Sequence, residues 1–236
     1  MKLQAQSSCA LHAALNKAAK CIGSKNTIVI LDNVLLTRSE SGQFFLTSST
    51  TEAQLTIPAP LTLCGGKFSK PIVLPLKMLS TLLSTLPDCA VTLDVQDDSQ
   101  VFTVEYCTNS GDNIKSGKAS MAYFSGDEYP QMTLPNSEKS MVICLPGQLF
   151  RSVIDTAEKF VQVNEIRPQL SSLCVDIADD NSEVTFVGTD AHILTKTVHC
   201  NDPQKGGSDF YRRGDLRRML IHREYFRTLA VFDGGR

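Results

Sequence analysis

Two hydrophobic rhythms alternate along this chain. In "LCVDI" (173–177) and "VTLDV" (91–95) apolar residues recur at every second position, the pattern of a strand with one buried face. Near the N-terminus Leu11, Leu15, Ala18 and Ile22 recur at spacings of four, three and four, which places them on one face of a helix, with His12, Asn16 and Lys20 on another. Ser7 or Ser8 is positioned to cap that helix. Gly42, the Asp97-Asp98 pair and the run from Asp179 to Asn181 supply the turns between strands.

The order of these elements repeats. A short strand, an amphipathic helix and a set of alternating strands appear as "KLQAQ", "SSCALHAALNKAAKCI" and "NVLLTRSESGQFFLTSSTTEAQLTIPA". The pattern returns as "PIVLPL", "KMLSTLLSTLPD", "AVTLDVQDDSQVFTVEYC" and "KASMAYF", and a third time as "SMVICLP", "GQLFRSVIDTAEKFVQ" and "SSLCVDIADDNSEVTFVGTDAHILTKTVH". A fourth unit begins with "RRMLIHREYFRTLAVF", of which one strand and one helix are expected. Tandem βαβββ units with helices on one face of antiparallel sheets define an α+β architecture. Two units per domain predict a complete first domain over 1–136 and a second over 137–236 that stops after the first strand and helix of its second repeat. The linker between them is expected near Leu134 to Glu138, where Pro135 sits among polar residues.

A chain of 236 residues accommodates two such domains, and 42% apolar with 20% charged residues is an ordinary balance for a soluble fold. The net charge of -2 argues against a surface that is basic throughout, yet the charge is uneven. From Phe210 onward Arg212, Arg213, Arg217, Arg218, Arg223, Arg227 and Arg236 outnumber Asp215, Glu224 and Asp233. No apolar run approaches the roughly 20 residues of a membrane span and no signal-peptide core is present, so a cytoplasmic protein is expected. The eight cysteines form no CxxC pair, which predicts neither a zinc framework nor a disulfide scaffold.

"VTFVGTDAHILTKTVH" (184–199) sets Thr189, Asp190 and His192 close together. Catalysis there would need a nucleophile with its base, and no G-x-S-x-G elbow exists. Strand alternation places Asp190 and His192 on the same face, which leaves open a structural hydrogen-bonded pair or one wall of a binding groove. His192 and His199 are seven apart and point to opposite faces of a regular strand, so no metal site is expected, and no cofactor.

Four stretches resemble the bacterial DNA polymerase III β subunits, the sliding clamps: "SKNTIVILDNVLL" from Ser24, "SGDEYPQM" from Ser125, "NEIRPQLSSLCVDI" from Asn164 and "VTFVGTDAHIL" from Val184. They occur in the family's order and spacing, and the similarity covers most of residues 1 to 222. The resemblance implies a non-catalytic processivity factor whose helices line a ring around duplex DNA. It also implies partners among DNA polymerase and clamp-loader subunits, and closure of the ring as a homo-oligomer. The sequence ends at "AVFDGGR", where the family continues through the second domain into a third. The apolar face of the fourth helix, with Phe226, Leu229 and Phe232, is therefore expected to lack its covering sheet and to meet a second copy or a partner. A clamp-fold interaction module without ring formation is the alternative.

By the same resemblance, DNA contact falls to the basic residues of the helix faces. These are Lys17 and Lys20 in the first helix, Lys25 in the loop after it, Arg151 in the third helix, and Arg223 and Arg227 in the fourth. Such contacts are made to phosphate and are strongly salt-dependent. Asp155 and Glu158 oppose the third helix in this role, and the second, with Lys77, Ser80, Thr81 and Ser84, is almost neutral. Pro168 and Gln169 stand where some clamps present aromatics, so base stacking is not expected. The family's peptide groove matches Leu170, Thr189, Ala191, His192, Ile193 and Leu194. Ala191 replaces a common glycine and Ile193 a common basic residue.

Overall fold

The computed structural model describes residues 1–22, 28–50, 53–110, 113–132, 142–163, 166–201, 210–214 and 217–231. The chain divides into two units, Met1–Met132 and Thr133–Arg236. The linker expected near Leu134 to Glu138 lies outside the described residues.

In the first unit the strand β1 (Lys2–Ala5) leads into α1 (Ser8–Ala18), then β2 (Val34–Arg38), β3 (Phe44–Ser49), β4 (Gln54–Pro58) and β5 (Thr62–Gly65). The second repeat runs β6 (Ile72–Leu74), α2 (Leu76–Ser84), β7 (Val91–Gln96), β8 (Val101–Ser110), β9 (Asn113–Ala122) and β10 (Phe124–Ser125). These strands make two five-stranded antiparallel sheets, β5-β1-β7-β8-β9 and β10-β6-β2-β3-β4. Each repeat thus lends its leading strand to the other's meander. Leu3 of β1 pairs with Leu93 of β7, and Leu35 of β2 pairs with Val73 of β6. Neither half completes a sheet alone, so the two repeats form one folding unit.

The helices fill the space that the sheets leave. Ser7 caps α1 by accepting the Ala10 N–H at 3.0 Å, while Ser8 is buried and its hydroxyl donates to Pro87 O at 2.9 Å. Leu11, Leu15 and Ala18 are buried as the periodicity predicts. The helix tightens into a 3₁₀ turn at Ala19–Cys21, so that Cys21 is buried and Ile22 is only half-buried. No acidic residue lies in the first turn of α1. Asp88 from the second repeat supplies that charge, its Oδ1 accepting from the Ser7 hydroxyl at 2.6 Å and the Cys9 N–H at 3.3 Å. Those two bonds, the Ser7 hydroxyl foremost, hold the Asp88 carboxyl below its ordinary value.

The second unit opens the same way: β11 (Val142–Cys144), α3 (Gly147–Phe160), β12 (Ser172–Ile177), β13 (Glu183–Thr189), β14 (Leu194–Cys200) and β15 (Tyr211–Arg213). Then come β16 (Arg218–His222) and α4 (Phe226–Leu229). The sheet β14-β13-β12-β16 repeats the exchange, because β16, at the head of the next repeat, pairs with β12. Its core gathers Val153, Ile154 and Ala157 of α3 with Phe186, Phe210 and Phe226. The expectation of an uncovered α4 face needs correcting here. Phe226 is 1% exposed, and Leu229 packs against the same core, because α4 lies on α3 within this unit. Phe232 lies outside the described residues.

Candidate nucleic-acid and partner interfaces

Two surfaces gather the residues that the sequence singles out. The first belongs to α1 and α2, which pack side by side with the Ser80 hydroxyl donating to Asn16 Oδ1 at 3.1 Å. Burial of Leu11 and Leu15 in α1, and of Leu79 and Leu83 in α2, turns the remaining positions outward. Lys17, Lys20 and Lys77 are exposed there. The chain contains no Asp or Glu between Met1 and Leu31 or between Ala53 and Pro87, so these helices and the 3₁₀ turn after α1 carry cations alone. Lys25 lies outside the described residues.

The candidates of the second unit are differently placed. Arg151 is exposed on α3, yet its Nε donates to both oxygens of Asp155, at 3.0 and 3.1 Å, and its Nη1 donates to Ala230 O at 2.7 Å. Arg223 is half-buried and its Nη1 donates to the carbonyl of Val161, the residue that ends α3. A guanidinium at a helix C-terminus satisfies carbonyls that have no partner in the helix. Arg227 is part of α4. Within the first unit Lys17 and Lys20 share the α1 face, while within the second Arg151 and Arg223 fasten separate points of α3.

The second surface is the turn between β13 and β14. Alternation had suggested that Asp190 and His192 share one face of a strand, but β13 ends at Thr189, β14 begins at Leu194, and residues 190–193 reverse the chain. Asp190 drives the reversal, its Oδ1 accepting the backbone N–H of His192 at 2.9 Å and of Ile193 at 2.7 Å. Thr189 completes it, its hydroxyl donating to Ile193 O at 2.7 Å and accepting from Ala191 N at 3.1 Å. The Ile193 N–H, followed by that of His192, holds the Asp190 carboxyl below its ordinary value. The Asp190 side chain thus binds the backbone of His192. Ala191 takes φ of 77°, a left-handed conformation that glycine would adopt without strain. The outcome is an apolar pair in solvent, Ile193 at 53% and Leu194 at 62% exposed.

Leu170 is half-buried in the 3₁₀ turn Pro168–Ser171 that feeds β12. The register pairing Cys174 with Val187 puts that turn and the β13–β14 turn at the same end of the sheet. His199 faces inward instead, its ring 6.1 Å from that of Phe210. Among the described residues no three His, Cys, Asp or Glu side chains converge as metal ligands, and no helix is long and apolar enough to cross a membrane.

This arrangement can be set beside known proteins. Residues 1–133 match the family model of the DNA polymerase III beta subunit, N-terminal domain. The chain belongs to the DNA polymerase III beta subunit family. The beta sliding clamp of Bacillus subtilis is 30% identical over 184 residues, covering 74% of this chain and 44% of the clamp. That of Synechocystis is 26% identical over 184 residues, covering 78% of this chain and 45% of the clamp. The crystal structure of the Bacillus subtilis DNA polymerase sliding clamp superposes with a TM-score of 0.70 at 22% identity, over 98% of this chain and 56% of that one. The fold is the α+β clamp fold, and this chain spans less than half the length of the two curated relatives.

Proposed function

We propose that this chain acts in the cytoplasm as a non-catalytic sliding-clamp subunit that tethers a DNA polymerase to duplex DNA. Its units correspond to a first clamp domain over 1–136 and the described part of a second over 137–236. The observation that carries this reading is the α1–α2 face, a pair of helices held by two sheets, carrying lysines without a carboxylate. Phosphate attraction needs that asymmetry and no base reading, as a protein that moves along DNA requires. Lys17, Lys20 and Lys25 are the phosphate contacts of the first unit, with Arg151, Arg223 and Arg227 as the candidates of the second. The partner-peptide wall is Leu170 with Thr189, Ala191, His192, Ile193 and Leu194. It would take an apolar segment of a polymerase or clamp-loader subunit. A homo-oligomer closes the ring.

A second reading is favoured by one observation. Ile193 stands exposed where the family resemblance leads one to expect a basic residue, which suits an interaction module that keeps the fold without encircling DNA. Light scattering across concentration, with circular and then linearised duplex, separates the two. An oligomer retained on circular DNA and released on linearisation supports the clamp. A small species indifferent to either DNA supports the interaction module.

A further inference from the structure

We infer that the second unit carries an open socket on the outer face of its sheet, formed by Leu170, Cys174 and Leu220 beside the edge of β16. It takes an extended segment of a partner protein in which an acidic residue stands two places before an aromatic and proline follows. This site is separate from the turn at 190–193, and its template is the first unit, where the chain seats such a segment of its own. Register makes the two places equivalent. Leu35 pairs with Thr47 and Val73, and Cys174 pairs with Val187 and Leu220. Leu31 stands four residues before Leu35, as Leu170 stands four before Cys174.

In the first unit the place is filled. Leu31, Leu35, Val73 and Tyr129 form an apolar cluster of their own, and the Tyr129 hydroxyl donates to Asn33 O at 3.4 Å. The segment that brings Tyr129 there is "FSGDEYPQM" (124–132). It first adds β10 to the edge of β6, with Phe124 opposite Val73, and later the Met132 N–H donates to Gln54 Oε1 at 3.0 Å. Asp127 lies 3.9 Å from Lys70 on the way. Val73 is thereby 0% exposed. In the second unit the receiving parts recur without the segment. β16 ends its sheet, so among the described residues no strand pairs with its other edge. Leu220 is 53% exposed where Val73 is buried, and Leu170 and Cys174 are half-buried. Arg217, exposed and bonded to Asp179, stands three residues before Leu220 as Lys70 stands three before Val73, so a cation recurs where the first unit meets Asp127. Edge pairing supplies main-chain hydrogen bonds, and the socket selects the side chain. A second copy is the poorer occupant, because its own Tyr129 is already seated, at 4% exposed.

The test adds the synthetic nonapeptide FSGDEYPQM to the full chain. Calorimetry reads binding, mass spectrometry reads alkylation of Cys174, and circular dichroism confirms that each variant folds. The peptide is expected to bind and to slow alkylation of Cys174, while the exposed Cys200 of β14 stays reactive. Leu220→Asp, or alanine in place of the peptide's tyrosine, should weaken binding about tenfold or more, and Ile193→Asp should leave it unchanged. Absence of binding, or binding insensitive to Leu220→Asp, overturns the inference. Loss through Ile193→Asp alone overturns it too, but supports the partner-peptide wall at the turn. Self-association of the chain that the peptide dissolves would name a second copy as the occupant and overturn the choice of a partner.

Discussion

Replacing Ala191 with glycine is expected to stabilise the second unit. Ala191 sits at φ of 77°, where the Cβ of an L-residue crowds the backbone at a cost of about 1–2 kcal/mol. Glycine removes that cost but loses about 0.4–1 kcal/mol through its freer unfolded chain. The turn geometry is imposed by bonds that glycine retains, from Asp190 Oδ1 to the N–H groups of residues 192 and 193 and between Thr189 and residue 193. The net gain is therefore about 0.5–1 kcal/mol, and for a unit of this size roughly 2–8 °C in Tm. Thermal denaturation of the full chain measures the gain, and hydrogen exchange of the β13 and β14 amides, which pair from Glu183–Cys200 to Thr189–Leu194, locates it. Ala191→Val should act in the opposite direction, since a β-branched residue is a worse occupant of this region. If Ala191→Gly leaves protection and Tm unchanged or lowers them, the turn carries no strain at this position and the reasoning is refuted.

Three further outcomes are expected. The Asp190 carboxyl is depressed in the folded state, so its contribution is present above the unfolded value of about 3.9 and is lost as pH falls through the folded value. Asp190→Asn should flatten that acid limb in a pH series of β13–β14 amide protection, and an unchanged limb would assign the loss to another group. Gly126→Ala puts a Cβ 2.4 Å from Pro71 Cβ and 2.6 Å from its carbonyl oxygen. The β6–β10 pairing must part to admit it, at a cost of about 1–3 kcal/mol read by urea denaturation. A midpoint equal to that of the unsubstituted chain contradicts the clash. Phe226→Ala empties a buried site in the second unit and should cost about 3–5 kcal/mol, whereas a loss under about 1 kcal/mol would mean that α4 does not belong to that core.

The repeat, the α1 face and the strand alternation were legible because each rests on contacts between near neighbours. Leu11, Leu15 and Ala18 are buried at the spacing that a helix dictates. The exchange of leading strands was not legible, since Leu3 pairs with Leu93 across the whole first unit and no local pattern encodes a partner so distant. Asp88 escaped notice for the same reason, as it reaches α1 from the other repeat. The turn residues 190–193 themselves include no glycine, asparagine or proline, and Asp190 was their single signal. The glycine that the family resemblance leads one to expect at 191 was nevertheless a clue, since the left-handed φ there is one that glycine favours.

Backbone plan and surface chemistry have separate origins in this chain. In both units a leading strand pairs back onto the preceding meander, β6 onto β2 and β16 onto β12, and the buried alternation that enforces this leaves the outward helix positions unconstrained. Those positions then differ: lysines without carboxylates on α1 and α2, balanced charges on α3. A resemblance built on buried and turn residues, such as "SGDEYPQM" with its tightly packed Gly126, identifies the fold without specifying where DNA would be gripped. Surface charge is set at those outward positions, where Asp155 pairs with Arg151 while α1 and α2 contain no carboxylate of their own.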